Sequence, residues 1–258
     1  MRLDKFLAES WAGQRKQVRN MIKNEEVTVN GVVIVEAAYE IDEVMDVITC
    51  QGAVIKHAKK RYFMFHKPAG CITARKDERH KTVLDYFDPS MQAGLFPVGR
   101  LDKDTEGLLL LTNDGQFDYK LMNPKNHVEK TYYFWALGTI REQEKMLLES
   151  GVSIGDQDMQ TKPAKLSIDQ VGYYDEFAME IDKKVVENVN LRYRKPVVSG
   201  YLTITEGKKH QVKRMLRQIG CYVIYLKRIS IGSIELDTNL ELGQYRELTR
   251  DEVNTLMQ

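Results

Sequence analysis

Cysteine is scarce in this sequence of 258 residues, which contains three. Cys50, Cys71 and Cys221 are odd in number and widely spaced, a pattern that fits neither a disulfide framework nor a zinc site. We therefore expect three free thiols and no metal held by cysteine.

Long apolar runs are also missing. A run such as 107–111 is far shorter than the roughly 20 residues that cross a bilayer. The first five residues, Met1 to Lys5, lack the apolar core of a signal peptide. These features predict a cytoplasmic protein without membrane contacts.

A strong charge of one sign is absent too, since the formal net charge is +1. Non-specific nucleic-acid binding depends on many summed cations, so the total charge gives no reason to expect it. The distribution is more informative. Lysine and arginine greatly outnumber acidic residues in segments 1–23 and 205–228, which predicts two local basic regions.

Apolar residues recur at helical spacing in segments 3–7 and 18–22, which predicts two short amphipathic helices. Asn30-Gly31 then separates two valine-rich runs, a strong hairpin signal because both residues tolerate positive φ. This stretch resembles the S4 RNA-binding domain over roughly residues 1–50. The resemblance implies RNA contacts by the six basic residues of this stretch: Arg2, Lys5, Arg15, Lys16, Arg19 and Lys23. The plain alternative is that these cations form an ordinary solvent-exposed surface.

A linker with several lysines precedes a new apolar run at 62–65. Strand-like segments, turns and a few helices follow without βαβ regularity, which favours an α+β fold with a mainly antiparallel sheet. We predict a small N-terminal domain over 1–58 and a larger domain over 59–258.

The segment 99–115 joins a charged loop to a buried apolar strand and a turn. Such a junction holds a carboxylate such as Asp102 at the end of a rigid element. A capped surface turn is the plain alternative. If the segment were extended, Asp102, Asp104 and Glu106 would share a face and suit a metal-dependent nuclease.

This segment, Gly-Arg-Leu-Asp followed by Thr-Glu-Gly-Leu-Leu-Leu-Leu-Thr-Asn-Asp-Gly, resembles the central motif of pseudouridine synthases. It is similar to the branch that joins an S4 domain to the catalytic domain and modifies ribosomal RNA, typified by the small-subunit enzyme. Three further segments agree in order and spacing: 65–70, 129–132 and 206–215. Segment 243–249 is also similar to the family's closing strand and turn.

The resemblance implies that Asp102 starts cleavage of a glycosidic bond, after which the freed uracil rotates and rejoins through carbon. It implies Tyr132 against the base, Leu202 beneath the site and Arg100 in the space that the flipped nucleotide leaves. We assign the cation beside Asp102 to Lys213, at the edge of the apolar helix stripe that the spacing of residues 212–219 predicts. No cofactor and no metal are implied.

Other basic residues of the matching motifs are expected to contact the RNA backbone: His66, Lys67, Lys208, Lys209, His210 and Arg214. Such contacts position RNA without reading its sequence. The implied partner is ribosomal RNA or a partly assembled subunit, and we expect a monomer.

Two alternatives remain open besides the nuclease. Segment 169–198 is longer than in the small-subunit pattern, so a uridine of large-subunit RNA is a close alternative target. A non-catalytic RNA-binding assembly factor is the other, because an S4 domain alone would bind RNA.

Overall fold

A computed structural model describes residues 1–10, 15–56, 59–155, 160–181 and 194–258. Two short helices and a four-stranded sheet of order β2-β1-β3-β4 form its N-terminal part. The elements are α1 (Leu3–Glu9), α2 (Arg15–Lys23), β1 (Val27–Val29), β2 (Val32–Val33), β3 (Ile48–Cys50) and β4 (Ala53–Ile55).

The predicted helices and hairpin of this part are confirmed. Asn30 and Gly31 have φ of 51° and 82°, so both adopt the left-handed conformation that the tight turn between β1 and β2 needs. The apolar faces of α1 and α2 pack against β1 and β3 in one small core.

A nine-stranded mixed sheet dominates the rest of the chain. Its strands are β5 (Tyr62–Lys67), β6 (Phe96–Val98), β7 (Glu106–Thr112), β8 (Lys130–Leu137), β9 (Lys165–Tyr173), β10 (Pro196–Ile204), β11 (Tyr222–Ile231), β12 (Ile234–Glu235) and β13 (Tyr245–Glu247). The helices are α3 (Pro89–Gln92), α4 (Gly115–Met122), α5 (Glu142–Ser150), α6 (Tyr174–Ile181), α7 (Gln211–Gln218) and α8 (Arg250–Met257).

The main strand order is β13-β5-β7-β11-β8-β10-β9, with β6 beside β7 and β12 beside β11. Among the ladders between these strands, β7 and β11 pair in parallel and the others are antiparallel. The predicted α+β class is therefore confirmed. None of the described helices has the length and apolar character of a membrane-spanning segment.

Strand β7 is buried on both faces, which explains its unbroken run of leucines. Leu109 and Leu111 enter the larger core with α5 and α7, whereas Leu108 and Leu110 face a second core beneath α4 and α8. The charged loop 99–105 just before β7 is thus anchored by the most buried strand of the sheet.

Helix α7 forms as its apolar spacing predicts. Val212, Met215 and Leu216 are buried against the larger core, and Gly220 with φ of 77° follows the helix end. This packing fixes which side chains at the start of α7 face the loop 99–105.

The close approach of β7 to β11 depends on Gly107. Its φ is 103°, and an added Cβ would lie 2.2 Å from the carbonyl oxygen of Arg228 and 2.7 Å from its amide nitrogen. Neither atom can move away cheaply, since both belong to the backbone of the central sheet.

We predict that Gly107→Ala lowers the free energy of unfolding by about 2–5 kcal/mol, through backbone strain and overpacking. Gly115→Ala is the matched control, because its φ is not positive and nothing lies within 4 Å of its added Cβ. Urea denaturation of both variants checks this, and equal stabilities would contradict the role given to Gly107.

Candidate active site around Asp102

The loop that carries Asp102 is fixed from two sides. Lys67 on β5 donates from Nζ to the carbonyls of Lys103 (3.3 Å) and Thr105 (2.9 Å). From the other side, the Thr73 hydroxyl donates to the carbonyl of Leu101 (2.7 Å) and accepts from its N–H (3.1 Å). Asp102 therefore projects from a loop whose neighbouring peptides are held.

A small pocket of about 70 Å³ lies beside Asp102. It is lined by Arg100, Leu101, Asp102, Thr105, Tyr132, Ile204, Gly207, Lys208, His210, Gln211, Val212, Lys213 and Leu226. Ordinary ligand pockets have volumes of roughly 300–1,000 Å³. The exposed side chains at its mouth must therefore move before a nucleotide can enter.

All three predicted catalytic residues, Asp102, Tyr132 and Lys213, line this pocket. The Lys213 ammonium is 3.8 Å from Oδ2 of Asp102, but it lies closer to Asp104, at 2.5 Å from Oδ1. Lys213 therefore lies beside Asp102, and its charge is shared with a second carboxylate, that of Asp104.

Asp104 is affected by this arrangement. Burial by itself would raise its pKa, but the hydrogen bond and positive charge of Lys213 outweigh burial and hold the pKa below its ordinary value. His210 approaches the other side of the site, with Nε2 3.6 Å from Oδ1 of Asp102.

Tyr132 is 8% exposed and stands on β8 opposite Leu202 of β10. Leu202 is fully buried and does not line the pocket, so it lies in the core beside the tyrosine rather than at the pocket wall. The apolar wall is formed by Ile204 and Leu226, which the sequence analysis did not single out.

The remaining predicted contacts fall into two groups. Arg100, Lys208 and His210 line the pocket, whereas Lys209 and Arg214 lie outside its lining. Lys208 donates to the carbonyl of Gln160 and is 3.5 Å from Glu206 Oε2, so it has partners within the protein.

His66 and Lys67 were expected on the surface, as contacts to an RNA backbone. The structure instead leaves them 7% and 0% exposed, because β5 runs between β13 and β7 inside the sheet. Nδ1 of His66 pairs with the carbonyl of Leu240 at 2.6 Å. Lys67 is thus a loop support in this structure, and its burial contradicts the expected contact with RNA phosphate.

The three acidic side chains considered for a metal site do not converge. Asp104 binds Lys213, and Glu106 accepts a hydrogen bond from the Tyr225 hydroxyl at 3.0 Å. Across the described residues, no group of three or more His, Cys, Asp or Glu side chains has a metal-binding arrangement. The geometry thus gives the nuclease alternative no support.

The N-terminal cations also have internal partners. Asp4 is nearly buried and accepts from Arg2 and Arg19, each with a contact of 3.0 Å to Oδ2. Burial alone would raise the pKa of Asp4, but these two hydrogen bonds outweigh burial and lower it. Arg2 and Arg19 still have about half of their side chains exposed, at 49% and 56%. Arg15, Lys16 and Lys23 are exposed on α2.

Comparison with known proteins decides the family. The model of the RNA pseudouridylate synthase family matches residues 61–218, and that of the S4 domain matches residues 1–48. The chain belongs to the RNA pseudouridylate synthase family. It carries an S4 domain at its N-terminus.

Relatives match the synthase over its whole length. A Bacillus subtilis protein named as the uncharacterized RNA pseudouridine synthase YtzG is 41% identical, covering 99% of this chain and 98% of that protein. The ribosomal small subunit pseudouridine synthase A of Haemophilus influenzae is 35% identical, covering 100% of both chains. A solved structure described as a pseudouridylate synthase is 33% identical with a TM-score of 0.65, covering 99% of both chains.

Two buried cations lie close to Tyr132 in the sheet, Lys130 two residues before it on β8 and Arg228 opposite it on β11. The sequence analysis missed both. Lys130 is 4% exposed and Arg228 is 1% exposed. The Lys130 ammonium donates to the carbonyl of Val128 at 3.1 Å. Burial, and then the positive charge of Arg228, lower the pKa of Lys130 to about 8.

This pKa predicts a pH-dependent stability. In the unfolded chain the Lys130 ammonium regains an ordinary pKa near 10.5. The unfolded state therefore binds more protons between about pH 8 and 10.5, so the contribution of Lys130 to stability rises with pH. The stability of wild type relative to Lys130→Met should increase by about 2–3 kcal/mol between pH 7 and 10.

Urea denaturation of both proteins at the two pH values measures this difference. Cysteine and tyrosine titrations affect both proteins alike, so they cancel in the comparison. A stability difference that stays constant with pH would contradict the buried, weakened ammonium.

Proposed function

We propose that this enzyme isomerises a specific uridine of small-subunit ribosomal RNA to pseudouridine. The observation that carries the proposal is the meeting of Asp102, Tyr132 and Lys213 in one pocket. Two relatives that match over their full length, from Haemophilus influenzae and Escherichia coli, are named ribosomal small subunit pseudouridine synthase A. They favour the small-subunit target over the large-subunit one.

In the proposed reaction, Asp102 starts the break between N1 of uracil and C1′ of the ribose. The base rotates, C5 bonds to C1′, and the proton that C5 loses is balanced by one gained at N1. Reactant and product are isomers, so no oxidant or reductant is consumed. We also propose that no metal participates, because a positioned carboxylate and its neighbouring cations supply the charges that this sequence of steps needs.

The residues closest to the proposed reaction have distinct roles. Lys213, 3.8 Å from Asp102, offsets part of the hydration that the carboxylate loses when the pocket is covered. Tyr132 offers an aromatic ring on which the freed uracil can stack. Leu202 supports the ring from the neighbouring strand, while Ile204 and Leu226 exclude water beside it.

The target uridine must leave its stack before the glycosidic bond is reached, which costs a few kcal/mol. Arg100 is exposed at the pocket, and its planar cation suits the space left by the flipped nucleotide. Lys208, Lys209, His210 and Arg214 are proposed to hold the flanking phosphates. Their position around the start of α7 supports this assignment.

The S4 domain is proposed to bind RNA away from the pocket, with the domain boundary at 58/59. Lys5 and Arg15 line a cleft of about 1100 Å³ together with Arg75 and Lys76, and this cleft does not include Asp102. It supports a basic path for RNA. We also propose that the protein is a cytoplasmic monomer that acts on ribosomal RNA or a partly assembled subunit. Part of the longer segment 169–198, on which the alternative large-subunit target depends, lies outside the described residues.

We predict that Asp102→Asn lowers the rate of product formation at least about a hundredfold, while RNA binding is retained. Wild type, Asp102→Asn and the control Asp251→Asn, an exposed carboxylate on α8, are incubated with transcripts and particles of both subunits. Pseudouridine is then mapped by digestion and mass spectrometry, with and without a chelator.

Product from wild type and the control on small-subunit RNA, unaffected by chelation, is the expected result. Product on large-subunit RNA alone would show that the target uridine lies in the large subunit and that the reaction is as proposed. RNA binding without product on any substrate would favour an assembly factor, and strand cleavage lost on chelation would favour a nuclease.

We predict that Lys16→Ala and Lys23→Ala each weaken RNA binding and reduce the slope of log K against log salt by about one. The rate at saturating RNA should stay unchanged, because both cations lie on α2 and outside the lining of the Asp102 pocket. Arg250→Ala, an exposed cation on α8, is the control and should keep the wild-type slope. Unchanged slopes in both lysine variants would contradict RNA binding through α2.

A further inference from the structure

Arg228 occupies an unusual place in the synthase domain. It lies on β11 opposite Tyr132 of β8 on one side and Gly107 of β7 on the other. Its side chain is only 1% exposed, although arginine is rarely buried without a partner of opposite charge. Among the described residues, the ion pairs do not include Arg228.

The contacts of this guanidinium are few and directional. Nε donates to the carbonyl oxygen of Leu108 at 2.8 Å. The guanidinium carbon is 6.0 Å from the centre of the Tyr132 ring, at the outer limit of a cation–π contact. Nη2 is buried without a hydrogen-bond partner among the described residues.

Such a group is expensive to bury, since an ion loses its hydration and here regains one hydrogen bond to a carbonyl. An apolar side chain of similar length would fill the same space at lower cost. Packing alone therefore does not explain why an arginine occupies this position.

The two groups that it contacts belong to β7 and β8, the strands on either side of β11. Leu108 is in β7, the strand that directly follows the Asp102 loop, and Tyr132 is the proposed stacking ring. A planar guanidinium fixed to the backbone of β7 presents a rigid surface to the ring. It thus links the strand that follows the Asp102 loop to the Tyr132 ring.

We propose that Arg228 is a positioning residue of the isomerisation, which acts through Tyr132 and touches no substrate. It does not line the Asp102 pocket. This inference rests on the function proposed above for Tyr132. Catalysis requires reacting groups to be held close to their productive geometry, and a displacement of 1 Å can lower a rate about a hundredfold.

The kinetic test compares Arg228→Met and Arg228→Lys with Arg61→Met under single-turnover conditions, well below the melting temperature. Arg61 also donates from its guanidinium to backbone carbonyls, those of Met91 and Ala93, so its loss is a matched structural change. Lysine keeps the charge at position 228 and removes the planar fork.

We expect both Arg228 variants to lose about tenfold to a hundredfold in the rate of product formation, with RNA affinity within about twofold of wild type. Arg61→Met should lose stability and keep its rate. A wild-type rate in folded Arg228→Met, or full activity of Arg228→Lys, overturns the proposal.

A double-mutant cycle tests whether the effect passes through the ring. In the background of Tyr132→Leu, adding Arg228→Met should cause little further loss, because the ring that it positions is gone. Additive losses would show an action independent of Tyr132 and would overturn the proposal.

A spectroscopic measurement does not depend on activity. With 4-fluorophenylalanine in place of Tyr132, the fluorine resonance should be single and narrow next to Arg228, and shifted or broadened in Arg228→Met and Arg228→Lys. An identical resonance in all three overturns the link between the guanidinium and the ring.

This measurement also separates the two proposals. If wild type forms no product on any RNA, the proposed function fails, while the fluorine signal still reports on Arg228. If wild type is active, and the Arg228 variants have the same fluorine resonance and the same rates as wild type, only the role given to Arg228 fails.

Discussion

The close approach of β7 to β11 is the constraint on which the site depends. It exists because Gly107 has no side chain and adopts a φ of 103°, so that the backbone of Arg228 can lie where a Cβ would stand. The parallel pairing at this point brings the Asp102 loop beside β8 and the start of α7. Without it, the carboxylate, the tyrosine and the lysine would not share one pocket.

Around this junction the site has a fixed floor and an adaptable mouth. The floor is held by buried donors, Lys67 under the loop and Arg228 beside β7, which bond backbone carbonyls. The mouth is made of half-buried and exposed side chains, including Arg100, His210 and Lys213. This division suits chemistry on a flipped nucleotide, since the mouth must open while the carboxylate keeps its place.

Local patterns in the sequence were enough to predict the elements and to nominate residues that the structure brings together in one pocket. The apolar spacing predicted α7, the Asn30-Gly31 turn predicted the hairpin, and the motif resemblance led to Asp102 and Tyr132. Long-range register was not readable in the same way. Whether Leu202 or Leu226 borders the pocket depends on strand pairing and on bulges in the β8–β11 ladder.

Burial was the other property that the sequence concealed. A lysine such as Lys67 is usually a surface residue, yet β5 lies inside the sheet and the Lys67 ammonium binds loop carbonyls. The charge of Lys213 is divided between Asp102 and Asp104, because loop geometry rather than spacing decides which carboxylate is nearer. The signal that could have found Arg228 was its place two residues after Leu226, on the apolar face of a strand.

The most direct measurement is the structure of the Asp102→Asn synthase bound to small-subunit RNA that contains the target uridine. We expect one uridine turned out of its stack, with its uracil against the Tyr132 ring and its C1′ facing residue 102. A uridine that remains stacked in RNA bound only to the S4 domain, with the Asp102 pocket still closed, would contradict it.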